Sequence, residues 1–164
     1  MTKKSKHLNI FFRGLAGIPF SMGLDDMAKT IPDSVVYPFG AWKNVTKSII
    51  KANRSGRIES VSLIGHSLGA RVILKMVKVL QKAGVPVNTV ICLDYVCNAL
   101  GINDLKAPVD VPTYHLRSNE KARPRTLKNA LETKFEHLNH VELDDDPEVK
   151  EIVRANLARH NSGI

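Results

Sequence analysis

The segment Gly65-His66-Ser67-Leu68-Gly69 constrains this chain more than any other. Before it runs Ile58–Ile64, a β-rich stretch that ends in the apolar pair Leu63-Ile64. After it, Leu68, Val72, Ile73, Met76, Val77 and Leu80 trace one face of a helix to about Ala83. A strand that becomes a helix across so tight a turn forces the serine into strained backbone geometry. Glycines two positions before and after it leave space where a Cβ would strike the neighbouring strand and helix backbones. The unit therefore presents a serine at the end of a strand, directly before a helix N-terminus with its unpaired N–H groups.

Similar units recur along the chain. Strands are expected at Leu8–Arg13, Ser34–Tyr37, Ile58–Ile64, Val87–Leu93, Val111–Leu116 and, as a short last strand, Phe135–Leu138. Val87–Leu93 is nearly continuous apolar at its end, as a strand buried on both faces should be. Helical patterns cover about Ser21–Thr30, Ala41–Asn53, the stretch after Ser67, and a basic segment at about Ala122–Thr133. A final helix opens at Asp146-Pro147, with Asp146 as N-cap and Pro147 at the first helical position. Alternating strands and helices predict an α/β fold, a three-layer α/β/α sandwich around a mostly parallel sheet of about six strands. Residues 1–7 read as a basic tail and 8–164 as one domain.

The net charge of +8 favours anionic partners, but the basic residues are dispersed. Some lie in the tail, some at Lys43, Lys47, Lys51, Arg54 and Arg57, and the densest run is Lys121, Arg123, Arg125 and Lys128. A solvated basic face is the expectation, with a dedicated anion site as the alternative. Aromatic residues make up 5% of the chain, which disfavours a base-stacking surface. Cys92 and Cys97 are too few for a disulfide framework and match no zinc spacing, and Cys92 sits in an apolar run as a core thiol. No apolar stretch has signal-peptide or transmembrane length, so a cytoplasmic protein is expected.

Gly65 to Ala70, reading GHSLGA, resembles the nucleophile elbow of lipases and esterases of the α/β-hydrolase superfamily. That resemblance implies a minimal α/β-hydrolase fold, nearly lidless and without the superfamily's first two antiparallel strands. It also implies a catalytic order of Ser, acid, His. On that pattern Ser67 is the nucleophile. Asp94, closing the strand after the elbow helix, is the acid, with Glu120 or Asp110 as alternatives. His140, in the segment NHVELDDDPEVKEIV, is the base, with His137 as alternative, while His66 is a packing or hydrogen-bonding neighbour of the serine. The oxyanion hole falls to the backbone N–H of Leu68 and, from the loop after the first strand, Leu15, with Ala16 as second choice. That loop resembles the family's H-G-x-x-G with Arg13 in place of His, and Arg13 either braces the loop by a salt bridge or meets an anionic substrate group.

The expected activity is cleavage of carboxylic esters or thioesters through an acyl-enzyme. No cofactor and no metal is required, and the substrate is a small molecule or acyl ester, with an anionic one as an option. Two readings compete with it. One is a catalytically idle module of the same fold that binds nucleic acid or an acidic partner. The other is an acyltransferase, which the sequence alone does not separate from a hydrolase.

Overall fold

A computed structural model describes residues 6–15, 22–95, 105–119 and 126–161. Among these residues the elements run β1 (His7–Arg13), α1 (Met22–Thr30), β2 (Ser34–Pro38), α2 (Trp42–Arg54), β3 (Ser60–His66), α3 (Leu68–Lys82), β4 (Val87–Leu93), β5 (Thr113–Arg117), β6 (Leu131–Lys134) and α4 (Pro147–Asn161). A 3₁₀ turn, Phe39–Ala41, leads into α2.

The strands form one sheet in the order β2-β1-β3-β4-β5-β6. Every adjacent pair is parallel. The chain steps outward from β1 to β2, crosses back to β3 on the other side of β1, and then advances strand by strand. Right-handed crossovers taken in opposite directions must leave their helices on opposite faces. The two cores record that outcome. Ile10, Phe12, Leu63 and Val90 pack with α2 and α3 on one face. Phe11, Ile64, Ile91 and Leu116 pack with α1 and α4 on the other. Alternate residues of β1 thus serve opposite layers, as the two-residue strand period requires. The reversal between β1 and β3 is a topological switch point, and in such sheets ligands usually bind at the carboxyl ends of the strands there.

The three-layer α/β/α expectation holds, and four local ones do not. Phe135–Leu138 is a turn, not a strand: the last strand is Leu131–Lys134, paired with β5 from Tyr114↔Leu131 to Arg117↔Lys134. The basic helix expected at Ala122–Thr133 is absent over its described part, where 126–130 is loop and 131–133 belongs to β6. Cross-strand pairing and the anchoring of Glu132 override a weak helical pattern there. The strand expected from Val111 starts at Thr113, past Pro112, which lacks a ladder donor. Residue 7, assigned to the tail, is already the first, buried residue of β1. The final helix starts as expected, with Asp146 Oδ1 accepting the N–H groups of Glu148 and Val149 at 2.9 and 3.1 Å.

Candidate active site

Ser67 directly follows β3 and precedes the first residue of α3. Its backbone is strained, with φ 59° and ψ −118°, a conformation costing of order 1–3 kcal/mol. The surroundings hold it there. Its N–H donates to Leu93 O at 2.9 Å. A Cβ on Gly65 would lie 2.4 Å from the backbone of Gly69, and one on Gly69 would lie 2.0 Å from the carbonyl oxygen of Phe12. Only glycine at both positions lets α3 start this close to β1 and β3. Gly14, in the loop after β1, also faces the serine: a Cβ there would meet Ser67 Cβ at 3.0 Å.

Asp94 follows β4 and has a left-handed backbone, φ 46°. Its N–H donates to Leu116 O at 2.8 Å. Carboxylate oxygen Oδ1 accepts the N–H of Ser118 at 2.8 Å, and Oδ2 accepts from His140 Nδ1 at 2.8 Å. Burial by itself would raise the Asp94 pKa, but the hydrogen bonds from His140 and Ser118 outweigh it and hold the carboxyl below its ordinary value. An ionised carboxylate only accepts, so His140 carries its proton on Nδ1 and turns a lone pair on Nε2 outward. That Nε2 lies 2.9 Å from Ser67 Oγ. Three residues 46 and 73 positions apart along the chain therefore form one hydrogen-bonded series.

His140 sits in a short loop that closes on itself. Asn139 Oδ1 accepts the N–H groups of Val141 and Glu142 at 2.9 and 3.0 Å, and Glu142 Oε2 accepts the N–H of Asn139 at 3.0 Å. This reciprocal N-x-x-E arrangement has the pattern of a capping box. His66 fastens the loop from below. Its Nε2–H donates to the His140 carbonyl at 2.9 Å, and the two rings stack with centroids 4.8 Å apart. Burial, with His140 close by, lowers the His66 pKa to about 4, so this ring is neutral at neutral pH. Arg13 braces the β1 loop: Nε donates to Asp25 Oδ2 at 2.8 Å and a second guanidinium N–H bonds Oδ1 of the same carboxylate.

Support for Asp94 comes from residues that the sequence did not single out. The N–H of Tyr95 donates to His115 Nε2 at 3.1 Å, and His115 Nδ1–H donates to Glu132 Oε1 at 2.9 Å. This pair, with His115 buried and Glu132 at the surface, ties the turn after β4 to β5 and β6. No local signal marks it, because its register depends on the placement of β6.

Of the alternatives, His137 is exposed and stands beside the ring of Phe135. Asp110 accepts from Gln81 at the far end of α3, at 2.9 and 3.0 Å. Glu120 and Ala16 lie outside the described residues, as do Cys97 and most of the basic run from Lys121. Leu15 directly follows Gly14 and is 66% exposed. Cys92 is a free, fully buried thiol whose pKa burial pushes up. No group of three or more candidate metal ligands exists among the described residues. None of the described helices is long and apolar enough to cross a membrane.

No known family profile matches the chain, and no curated protein sequence does. Solved structures match over nearly its whole length. An α/β serine hydrolase without a lid from Xanthomonas campestris superposes with a TM-score of 0.68 at 13% identity, covering 94% of this chain and 82% of that one. Human thioesterase 2 gives 0.64 at 9% identity, covering 97% of each chain. The NocB thioesterase domain from the nocardicin cluster gives 0.59 at 13%, covering 97% and 95%. The chain has the α/β-hydrolase fold, in a version with a six-stranded, all-parallel sheet among the described residues.

Proposed function

We propose that this chain is a serine hydrolase acting on carboxylic esters or thioesters, with Ser67 as nucleophile, His140 as general base and Asp94 as the orienting acid. The observation that carries the reading is the series Asp94 Oδ2–His140–Ser67 Oγ, at 2.8 and 2.9 Å. Its polarity suits the chemistry. His140 Nε2 accepts the hydroxyl proton as Ser67 Oγ attacks the acyl carbon, and Asp94 stabilises the resulting imidazolium while fixing its tautomer. The proton then passes from Nε2 to the departing alkoxide or thiolate. Water, deprotonated by the same nitrogen, releases the acid and restores the serine.

The developing oxyanion needs donors fixed before it forms. We assign these to the backbone N–H of Leu68, at the start of α3, and that of Leu15. The placement of Gly14 against Ser67 supports drawing the second donor from the β1 loop, and the ion pair between Arg13 and Asp25 keeps that loop in place. Arg13 is then a brace and not a substrate anchor. Thioesters are the favoured acyl class, because thioesterases recur among the structural neighbours.

The test is covalent labelling of the full chain by a fluorophosphonate, together with turnover of matched ester and thioester series of increasing chain length. Labelling confined to Ser67, with hydrolysis lost in Ser67→Ala, is expected. Wild-type protein that is neither labelled nor active on any member would overturn the proposal. Acyl transfer to an added alcohol that outruns release to water would reassign it to an acyltransferase.

A further inference from the structure

The formal charge of the chain is +8, and it is spread unequally over the two helical layers. Helices α2 and α3 pack side by side on one face of the sheet. Along α2 stand Lys43, Lys47, Lys51 and Arg54, and along α3 stand Arg71, Lys75, Lys78 and Lys82; neither helix contains an acidic residue. Spacings of three and four residues align each set on one side of its helix. The set on α2 spans about 16 Å, and neighbouring helix axes are about 8–10 Å apart, so the cations form two adjacent rows. All are exposed except the half-buried Arg71 and Lys75. Among the described residues, no ion pair reaches the six lysines or Arg54.

The opposite layer is different. Helices α1 and α4 balance acids and bases, with Lys29 paired to Asp26, Arg154 to Glu151 and, just before α4, Asp145 to Lys150. Like charges at helical i,i+4 spacing oppose helix formation. One layer neutralises that repulsion with carboxylates and the other leaves it in place.

We propose that the α2/α3 face docks on an anionic lipid bilayer. Charge complementarity calls for a polyanion, and three features select lipid over nucleic acid. Six of the eight cations are lysines, compact charges suited to a fluid headgroup plane; the arginine fork is the group that reads fixed phosphates bidentately. Val79 is 43% exposed on α3, beside Lys78. A cavity of about 340 Å³ flanks α2, with Tyr37, Ile49 and Ile58 in its wall and the exposed Lys51 and Arg57 also lining it. Apolar wall and cationic neighbours together fit an amphiphile with an acidic head, and a nucleic-acid strand has no acyl tail to place there. This surface does not depend on the proposed hydrolase activity.

Co-sedimentation of the full chain with vesicles tests the inference. Binding is expected to vesicles of 70% phosphatidylcholine and 30% phosphatidylserine at 0.15 M NaCl, with none to pure phosphatidylcholine, and loss at 0.5 M NaCl. The combined variant Lys47→Glu, Lys51→Glu, Lys75→Glu and Lys78→Glu should weaken binding by about 100-fold or more. Its melting curve and its turnover of a soluble ester should match the wild type. A control, Lys29→Glu with Lys150→Glu, should bind within about threefold of wild type. Three results would overturn the proposal: no wild-type binding to the anionic vesicles, an equal loss in the control, or tighter binding to duplex DNA or RNA at the same salt.

Discussion

The sheet carries a serine, a histidine and an Asx residue in hydrogen-bond contact at each of its two rims. At the carboxyl ends of the strands these are Ser67, His140 and Asp94. At the amino ends, about 20 Å away along β3, Ser60 Oγ lies 2.7 Å from His7 Nδ1 and His7 Nε2 lies 3.2 Å from Asn9 Oδ1. The second group even borders a cavity of about 330 Å³, lined also by Arg154 and Asn161. By residue type alone the two trios are nearly alike.

Their settings differ in three ways that matter for chemistry. Ser67 has a strained, positive-φ backbone, whereas Ser60 is an ordinary strand residue. Ser67 immediately precedes a helix N-terminus, while Ser60 leads into a strand. His140 leans on an ionised carboxylate; His7 leans on a neutral carboxamide, and burial lowers its pKa despite that contact. The amino-end group is a satisfied polar plug, with Asn161 Nδ2 donating to Asn9 Oδ1 at 2.9 Å and Ser62 Oγ donating to Asn161 Oδ1 at 2.8 Å. A Ser-His-Asx contact is therefore common structural material. The proposed activity rests on the strain, the helix terminus and the fixed charge around one of them.

The sharpest way to break this contrast is to remove each serine. Ser67→Ala should lower kcat/KM for an ester by roughly 10⁵–10⁶-fold, by analogy with other serine hydrolases, while Ser60→Ala should change it less than about twofold. Equal losses in a steady-state assay would erase the distinction. Next, Asp94→Asn should cost roughly 10⁴-fold, because an amide no longer enforces the tautomer. Asn9→Asp, which supplies a carboxylate at the other rim, should create no fluorophosphonate labelling of Ser60.

The histidines at the two rims also differ in how strongly they couple folding to pH. His66 titrates near 4 in the folded protein against an ordinary 6.5. The unfolded chain therefore takes the proton first, and stability is lost as pH falls from about 6.5 to about 4, by at most roughly 3 kcal/mol. His7 shifts in the same direction. Asp144 acts oppositely: burial raises its pKa to about 6, so stability falls as pH rises from about 4 to 6. The two act over the same pH window with opposite sign, so in urea melts between pH 4 and 8 His66→Gln should lose stability more steeply than the wild type as pH rises from about 4 to 6, and Asp144→Asn should lose it more steeply as pH falls through that window. A His66→Gln profile with the same pH dependence as the wild type would show that this ring does not contribute.

The smallest effect concerns packing at the elbow. Gly69→Ala places a methyl group against the Phe12 carbonyl and should destabilise by roughly 1–3 kcal/mol. Gly40→Ala, where nothing lies within 4 Å, should be near neutral by the same denaturant measurement.

Much of this was legible beforehand. The elbow and its two glycines, the alternation of strands and helices, and the Asp146-Pro147 helix start are written in contiguous residues. Asp94 and His140 could be selected, though only with the help of a resemblance, and the structure brings both to Ser67. The end of the chain misled. Phe135–Leu138 has strand-like composition, yet the four residues before it make the strand, because Glu132 there meets His115 and the N–H of Leu127. Such a gain is invisible until β5 and β6 lie side by side.

What the sequence determined by itself are features set within one or two turns of backbone: the serine's position between strand and helix, the periodicities that sort residues to core or surface, and the helix caps. Tertiary structure alone decided which distant groups meet. The contact of Ser118 N–H with Asp94, the hold of His66 on the His140 loop and the gathering of cations on one layer follow from strand order and crossover handedness. Those relations join segments up to 74 residues apart, and no local pattern encodes them, because their energy exists only once the intervening chain has folded around them.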